Sequence, residues 1–69
     1  MKDLQISLAA ARVNAEMTQA DVAKAMKVST NIIIDIEAGR REIRPAELSY
    51  LARLYKVDED NLRLPITTT

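Results

Sequence analysis

Few side chains in this sequence can do covalent chemistry. Its 69 residues include no Cys and no His. That excludes thiol chemistry, a disulfide framework, a histidine general base and any ordinary zinc site. Carboxylates remain. Asp58, Glu59 and Asp60 are consecutive and read as a solvated helix start rather than a metal cluster. Asp35 and Glu37 lie two apart, which on a helix sends them to different sides, so they cannot converge as a catalytic pair. Gly39 is the only glycine, so no glycine loop cradles a phosphate. No nucleophile stands beside a base. The expectation is not an enzyme, with no metal, no cofactor and no small-molecule ligand.

Charge is the chemistry that is left. Ten Lys and Arg balance ten Asp and Glu, which counts mildly against a nucleic-acid binder. The distribution is less even than the sum. Residues 40–56 hold Arg40, Arg41, Arg44, Arg53 and Lys56 against only Glu42 and Glu47, net +3, whereas residues 1–39 are net −1 and residues 57–69 net −2. A local basic patch near the middle of the chain is expected. Arg44, Arg53 and Arg63 are most simply solvated.

These groups have to be held by helices. Hydrophobic residues make up 48% and charged residues 29%, a balance that fits one globular domain. Tyr50 and Tyr55 are the only aromatic residues, so the core is aliphatic. One Gly and two Pro leave too little turn chemistry for a small β-barrel. No apolar run reaches the roughly 18 residues of a membrane span. No signal peptide is evident, and a cytoplasmic location is the default. Met1, with a domain end near residue 64, leads to the expectation of an intact small protein.

Apolar spacings of three and four define five helical segments. The first runs from about Leu4 to Asn14, with Leu4, Leu8, Ala11 and Ala15 as its stripe. The second starts at Thr18, which can cap it, with Asp21 at its positive end and Val22, Ala23 and Met26 inward. Ser29 starts the third, its hydroxyl placed to accept from the backbone of Ile32 or Ile33; Ile33 and Ile36 face inward and Gly39 ends it. Pro45 is the first helical residue of the fourth, followed by Leu48, Leu51, Leu54 and Tyr55 as core. Asp58 caps a short fifth helix anchored by Leu62, and residues 65–69 form a frayed tail. Tyr50 reads as a surface tyrosine or a phosphate contact.

Only Met26, Lys27 and Val28 separate the second helix from the Ser29 cap. Such a link suits a helix-turn-helix over about residues 18–38, or an ordinary helical hairpin in a bundle. The string Met17-Thr18-Gln19-Ala20-Asp21-Val22-Ala23, then Val28-Ser29, Ile33, Ile36-Glu37 and Gly39, resembles the Cro/CI-type (XRE-family) helix-turn-helix domain of phage repressors and bacterial regulators. The resemblance continues through Pro45, Leu48, Leu51-Ala52, Leu54, Val57, Asp58 and Leu62, and so covers most of a domain over residues 1–64. It implies an all-α, compact five-helix lambda-repressor-like fold.

The resemblance also implies roles. The helix over residues 29–38 would lie in the major groove, with Thr30, Asn31 and Asp35 at the base-reading positions. Ile34, if outward, can touch a thymine methyl. Gln19 falls where relatives bind a phosphate, helped by the backbone N–H groups of that helix start. Arg40 and Arg41 fall in the loop that follows the DNA backbone, and Lys27, on the other flank of the recognition helix, is a further phosphate contact. Arg12 and Glu37 stand at the spacing of an ion pair in phage repressors of this type; otherwise they are two solvated side chains.

Several positions depart from the family. Glu16 and Lys27 stand where relatives often place Gly, which calls for left-handed residues or different turns. Ile32 and Ile34 should point outward or sideways, where an apolar face can also dock protein. No Arg or Lys lies between Lys27 and Arg40, so DNA affinity would depend on flanking groups such as Lys24, Lys27, Arg40, Arg41 and Arg44. The loop from Gly39 to Pro45 is a residue or two longer than in many relatives. The expected function is a sequence-specific regulator of transcription, a repressor of phage or mobile-element type. It would bind double-stranded DNA as a homodimer, with apolar groups near Leu62, Leu64 and Ile66 as candidates for the contact; the alternative for these three, and the favoured one for Leu62, is core closure with a frayed tail. The competing expectation is a protein-binding module on the same fold, an antirepressor or adapter using the Ile-rich helix.

Overall fold

The computed structural model describes residues 5–65. Leu4 in the expected first stripe, Ile66 in the expected dimer contact and the rest of the expected tail past Pro65 lie outside the described residues. Four α-helices carry the fold: α1 (Leu8–Asn14), α2 (Gln19–Met26), α3 (Thr30–Ala38) and α4 (Pro45–Tyr55). Two two-residue strands, β1 (Ile6–Ser7) and β2 (Leu62–Arg63), pair in parallel, with Ile6 opposite Leu62 and Ser7 opposite Arg63.

Among the described residues the expected five helices are therefore four. The fifth segment is a single 3-10 turn, Glu59–Asn61. Asp58 does cap it, its Oδ1 accepting from the Asp60 N–H at 3.0 Å. The turn cannot lengthen, because Leu62 is extended and its side chain is drawn into the core at 5% exposure. The same pairing shortens the first helix. Ile6 and Ser7 belong to the ribbon, and the Ser7 hydroxyl accepts from the Ala10 N–H at 3.0 Å, which starts α1 at Leu8 instead of near Leu4.

The core takes a few residues from every helix. Leu8 and Ala11 come from α1, Val22 and Ala23 from α2, Ile33 and Ile36 from α3, and Leu51, Ala52 and Tyr55 from α4. Full burial of each Leu, Ile or Val contributes about 1.5–3 kcal/mol, and with no Phe or Trp these aliphatic contacts carry the fold. Leu48 and Leu54 pack on its edge. So does Ile32, half-buried, which is the sideways arrangement of the two that the sequence left open for it. The most extensive helix pair is α2 with α3.

Each of the four helices closes on a left-handed residue: Lys27 at φ 61°, Gly39 at 79° and Lys56 at 58° directly follow α2, α3 and α4, and Glu16 at 59° follows α1 after one intervening residue, Ala15. The N–H of the following residue then reaches back over the last turn. Met17 donates to the Arg12 carbonyl at 3.2 Å, Val28 to Ala23 at 3.0 Å, Arg40 to Asp35 at 2.9 Å and Val57 to Ala52 at 2.9 Å. Only one of these four sites has the residue that adopts this conformation freely. At the other three, Met17, Val28 and Val57 follow directly and pack against the core. The apolar anchor offsets a left-handed cost of roughly 1–2 kcal/mol at each. Lys56→Gly removes that cost from an exposed position. It should stabilise the domain by about 0.5–1 kcal/mol and raise the thermal midpoint by a few degrees. A lowered midpoint would show that the Lys56 side chain holds the turn.

Candidate nucleic-acid interface

The α2–α3 unit begins with a reciprocal cap. Thr18 Oγ1 accepts from the Asp21 N–H at 3.0 Å, and Asp21 Oδ2 accepts from the Thr18 N–H at 2.8 Å. Those bonds hold the Asp21 carboxyl below the usual carboxylate range. Lys27, Val28 and Ser29 join the helices. Ser29 precedes α3 as expected, but its hydroxyl makes no capping bond. The Ile32 N–H instead bonds the Ser29 carbonyl at 3.1 Å, a tighter backbone turn that makes the hydroxyl unnecessary. Thr30 and Asn31, the first two residues of α3, are exposed, while Ile34 and Asp35 on the next turn are half-buried.

One carboxylate ties this unit to the rest of the fold. Glu37 Oε2 accepts from Arg12 Nε at 2.7 Å, and Oε1 accepts from Arg12 Nη2 at 3.4 Å and from Gln19 Nε2 at 3.0 Å. Arg12 Nη1 donates to the Met17 carbonyl at 2.9 Å. The Arg12 and Glu37 side chains are only 14% and 9% exposed. The pair therefore joins α1, the α1–α2 link, the start of α2 and the end of α3. Gln19 is committed to it through its amide. Tyr55 lies close by. Burial, and then the Glu37 charge, push its hydroxyl up to about 12, against a smaller lowering by Arg12.

The basic residues are less free than the sequence implies. Arg40 is well exposed, but its Nε donates to Asp35 Oδ1 at 3.0 Å, so two expected DNA-contacting residues hold each other. Arg41 is half-buried. Its Nη2 donates to Glu47 Oε2 at 3.3 Å, and its buried Nη1 has no partner. Burial raises the Glu47 carboxyl, but the Arg44 N–H at 2.9 Å and the Arg41 guanidinium outweigh it and hold the group below its usual value. Lys24 and Lys27 are exposed on and just past α2. Tyr50 donates from its hydroxyl to the Ala25 carbonyl at 2.9 Å, joining α4 to α2. Sequence reasoning missed the Asp35–Arg40 and Arg41–Glu47 pairs and the Gln19–Glu37 bond. Opposite charges five and six apart across Gly39 and Pro45 were the available signal for the first two.

A cleft of about 500 Å³ lies between the end of α2 and the start of α4, lined by Ala25, Met26, Lys27, Val28, Ala46, Glu47 and Tyr50. Its surface is mostly apolar, and Glu47 is already paired. Among the described residues no group of three or more His, Cys, Asp and Glu could hold a metal ion, and no helix is long and apolar enough to cross a membrane.

Two short helices joined by three residues, the second with its start exposed, make this a helix-turn-helix domain. Residues 4–64 match the family model described as "Helix-turn-helix domain", nearly the whole chain. The chain belongs to this family of XRE-like helix-turn-helix domains, in agreement with the Cro/CI-type resemblance, and the family is one of DNA-binding regulators. Comparisons with curated proteins and with solved structures found no match.

Glu37→Ala leaves a nearly buried guanidinium with a single carbonyl partner. It should destabilise the domain by about 3 kcal/mol in a urea melt. A loss below about 1 kcal/mol would mean that the pair behaves as an exposed one.

Proposed function

We propose that this protein is a sequence-specific, double-stranded-DNA-binding transcriptional regulator, a repressor of phage or mobile-element type. It acts by binding alone, as a homodimer on a two-fold operator, without catalysis, metal, cofactor or small-molecule ligand. The observation that carries this reading is the exposed start of α3 on a helix-turn-helix fixed from behind by the Arg12–Glu37–Gln19 network. Thr30, Asn31 and Ile34 meet the base edges in the major groove. Asp35 sits beside them, with Arg40 offsetting its repulsion of phosphate.

Phosphates are bound on both sides of that helix. Lys27 and Arg40 are exposed and supply charge. At the start of α2, backbone N–H groups take the phosphate beside Gln19, whose side chain holds Glu37. Arg41 serves mainly as a brace on Glu47 and adds field at the loop. Because the chain is neutral overall, each such contact matters, and affinity falls steeply with salt, by about 0.9 log unit per log unit of salt for each contact.

One copy reads only about half a turn of duplex, and two copies about 34 Å apart double the contacts. Leu62 closes the core, the reading favoured for it, which leaves Leu64 at 41% exposure, together with Val13 at 61%, as apolar groups for the contact between copies. The rival reading, a protein-docking module built on Ile32 and Ile34, has less apolar surface to offer because Ile32 is half-buried against the core edge.

The test is selection from a random duplex library, then a salt titration on the winner. A two-fold sequence with half-sites one helical turn apart and a steep salt slope are expected. Asn31→Ala should cost about 1–3 kcal/mol on the selected site and little on random DNA, while Lys27→Ala weakens both alike. A folded protein that enriches nothing would contradict the reading.

A further inference from the structure

The outward face of α3 has a chemistry narrow enough to specify which base pairs it accepts. Ile33 and Ile36 are in the core, Ile32 packs on its edge, and Glu37 is held by Arg12 and Gln19. Thr30, Asn31 and Ile34 remain, the first two exposed and the third half-buried but outside the core packing. Position 34 is four residues from 30 and three from 31, so Ile34 lies beside both, and one methyl, one branched alkyl group and one amide form a continuous patch.

Each base edge makes its own demand. Guanine presents two acceptors, N7 and O6, which are matched by the donors of Arg or Lys. This helix carries neither, and Arg40, past its end, is held by Asp35. Cytosine presents an amino donor matched by a carboxylate. Asp35 is the only carboxylate on this side, and its charge is already answered by Arg40. Adenine presents N7 and the N6 amino group, which an Asn amide matches with two bonds, and thymine presents a methyl group that suits alkyl side chains. An apolar patch set against guanine or cytosine would strip water from polar edges and return no hydrogen bond.

Resting on the DNA-binding reading above, we infer that α3 selects half-sites with an A·T centre. Asn31 reads adenine, Ile34 and the Thr30 methyl read thymine methyl groups, and G·C pairs are rejected because their groove edges go unpaired. The discriminating chemistry is the thymine methyl, which can be deleted from the DNA without touching the protein.

The experiment is a binding series on the selected duplex with wild-type protein. Each thymine is replaced in turn by deoxyuridine, which lacks the methyl, and each adenine by 7-deazaadenine, which lacks N7. At one or two central positions per half-site, deoxyuridine should weaken binding about threefold to fourfold, the effect of one buried methyl. One 7-deazaadenine position should cost about tenfold. Ile34→Ala should lose the deoxyuridine effect and Asn31→Ala the 7-deazaadenine effect, each at its own positions. Selection of G·C pairs at the half-site centre, or a wild-type protein indifferent to every deoxyuridine, overturns the inference and leaves DNA binding intact. A protein with no salt-sensitive affinity for any duplex overturns the DNA-binding reading itself, and this inference with it.

Discussion

The Glu37 carboxylate accepts from two nitrogens of Arg12 and one of Gln19, and the placement of α3 depends on those bonds. A carboxylate at 9% exposure is costly unless charge and hydrogen bonds compensate it. Arg12 supplies the charge in a two-pronged form that a lysine would not reproduce. Its remaining nitrogen ties down the Met17 carbonyl, and so fixes the turn between α1 and α2. Apolar contacts hold α3 against the core without direction, because hydrophobic burial is nondirectional. The ion pair adds direction. It fixes the far end of the helix, and the near end is then presented in one orientation.

The short connections extend the same economy. With one glycine for four helix ends, the chain relies on Met17, Val28 and Val57 to pull each turn closed by burial. The basic loop after α3 is likewise held by its own pairs, Asp35–Arg40 and Arg41–Glu47. A neutral protein with internally paired arginines presents a weaker field than its residue count implies. That makes selective contacts in the groove more important relative to nonspecific attraction to the backbone.

Much of this was legible in the sequence. Gly39 after a helix, Pro45 at the start of the next and Thr18 with Asp21 are local signals with local causes, and they appear where expected. Glu16 and Lys27, standing where relatives often place Gly, left open a left-handed residue or a different turn, and the structure has the left-handed residue at both. Nonlocal effects were not legible. The fifth helix became a 3-10 turn because Leu62 pairs with Ile6, 56 positions earlier in the chain. Which way Ile32 would lean, outward or sideways, was also open; it packs half-buried on the core edge because the apolar arc of α3 is wider than a single stripe. Ser29 lost its capping bond to a backbone alternative of equal use. At the candidate interface the residue types were readable, but their pairing was not: Gln19, Arg40 and Arg41 each found a partner within the protein.

The central claim is that the exposed start of α3 meets DNA while the Glu37 network holds it from behind. Amide chemical-shift mapping during titration with the selected duplex tests it most directly. The account predicts the largest changes at Thr30, Asn31 and Ile34, with further changes at Lys27, Arg40 and the start of α2 around Gln19. Changes confined to the surface around Val13 and Leu64, with α3 silent, would contradict it.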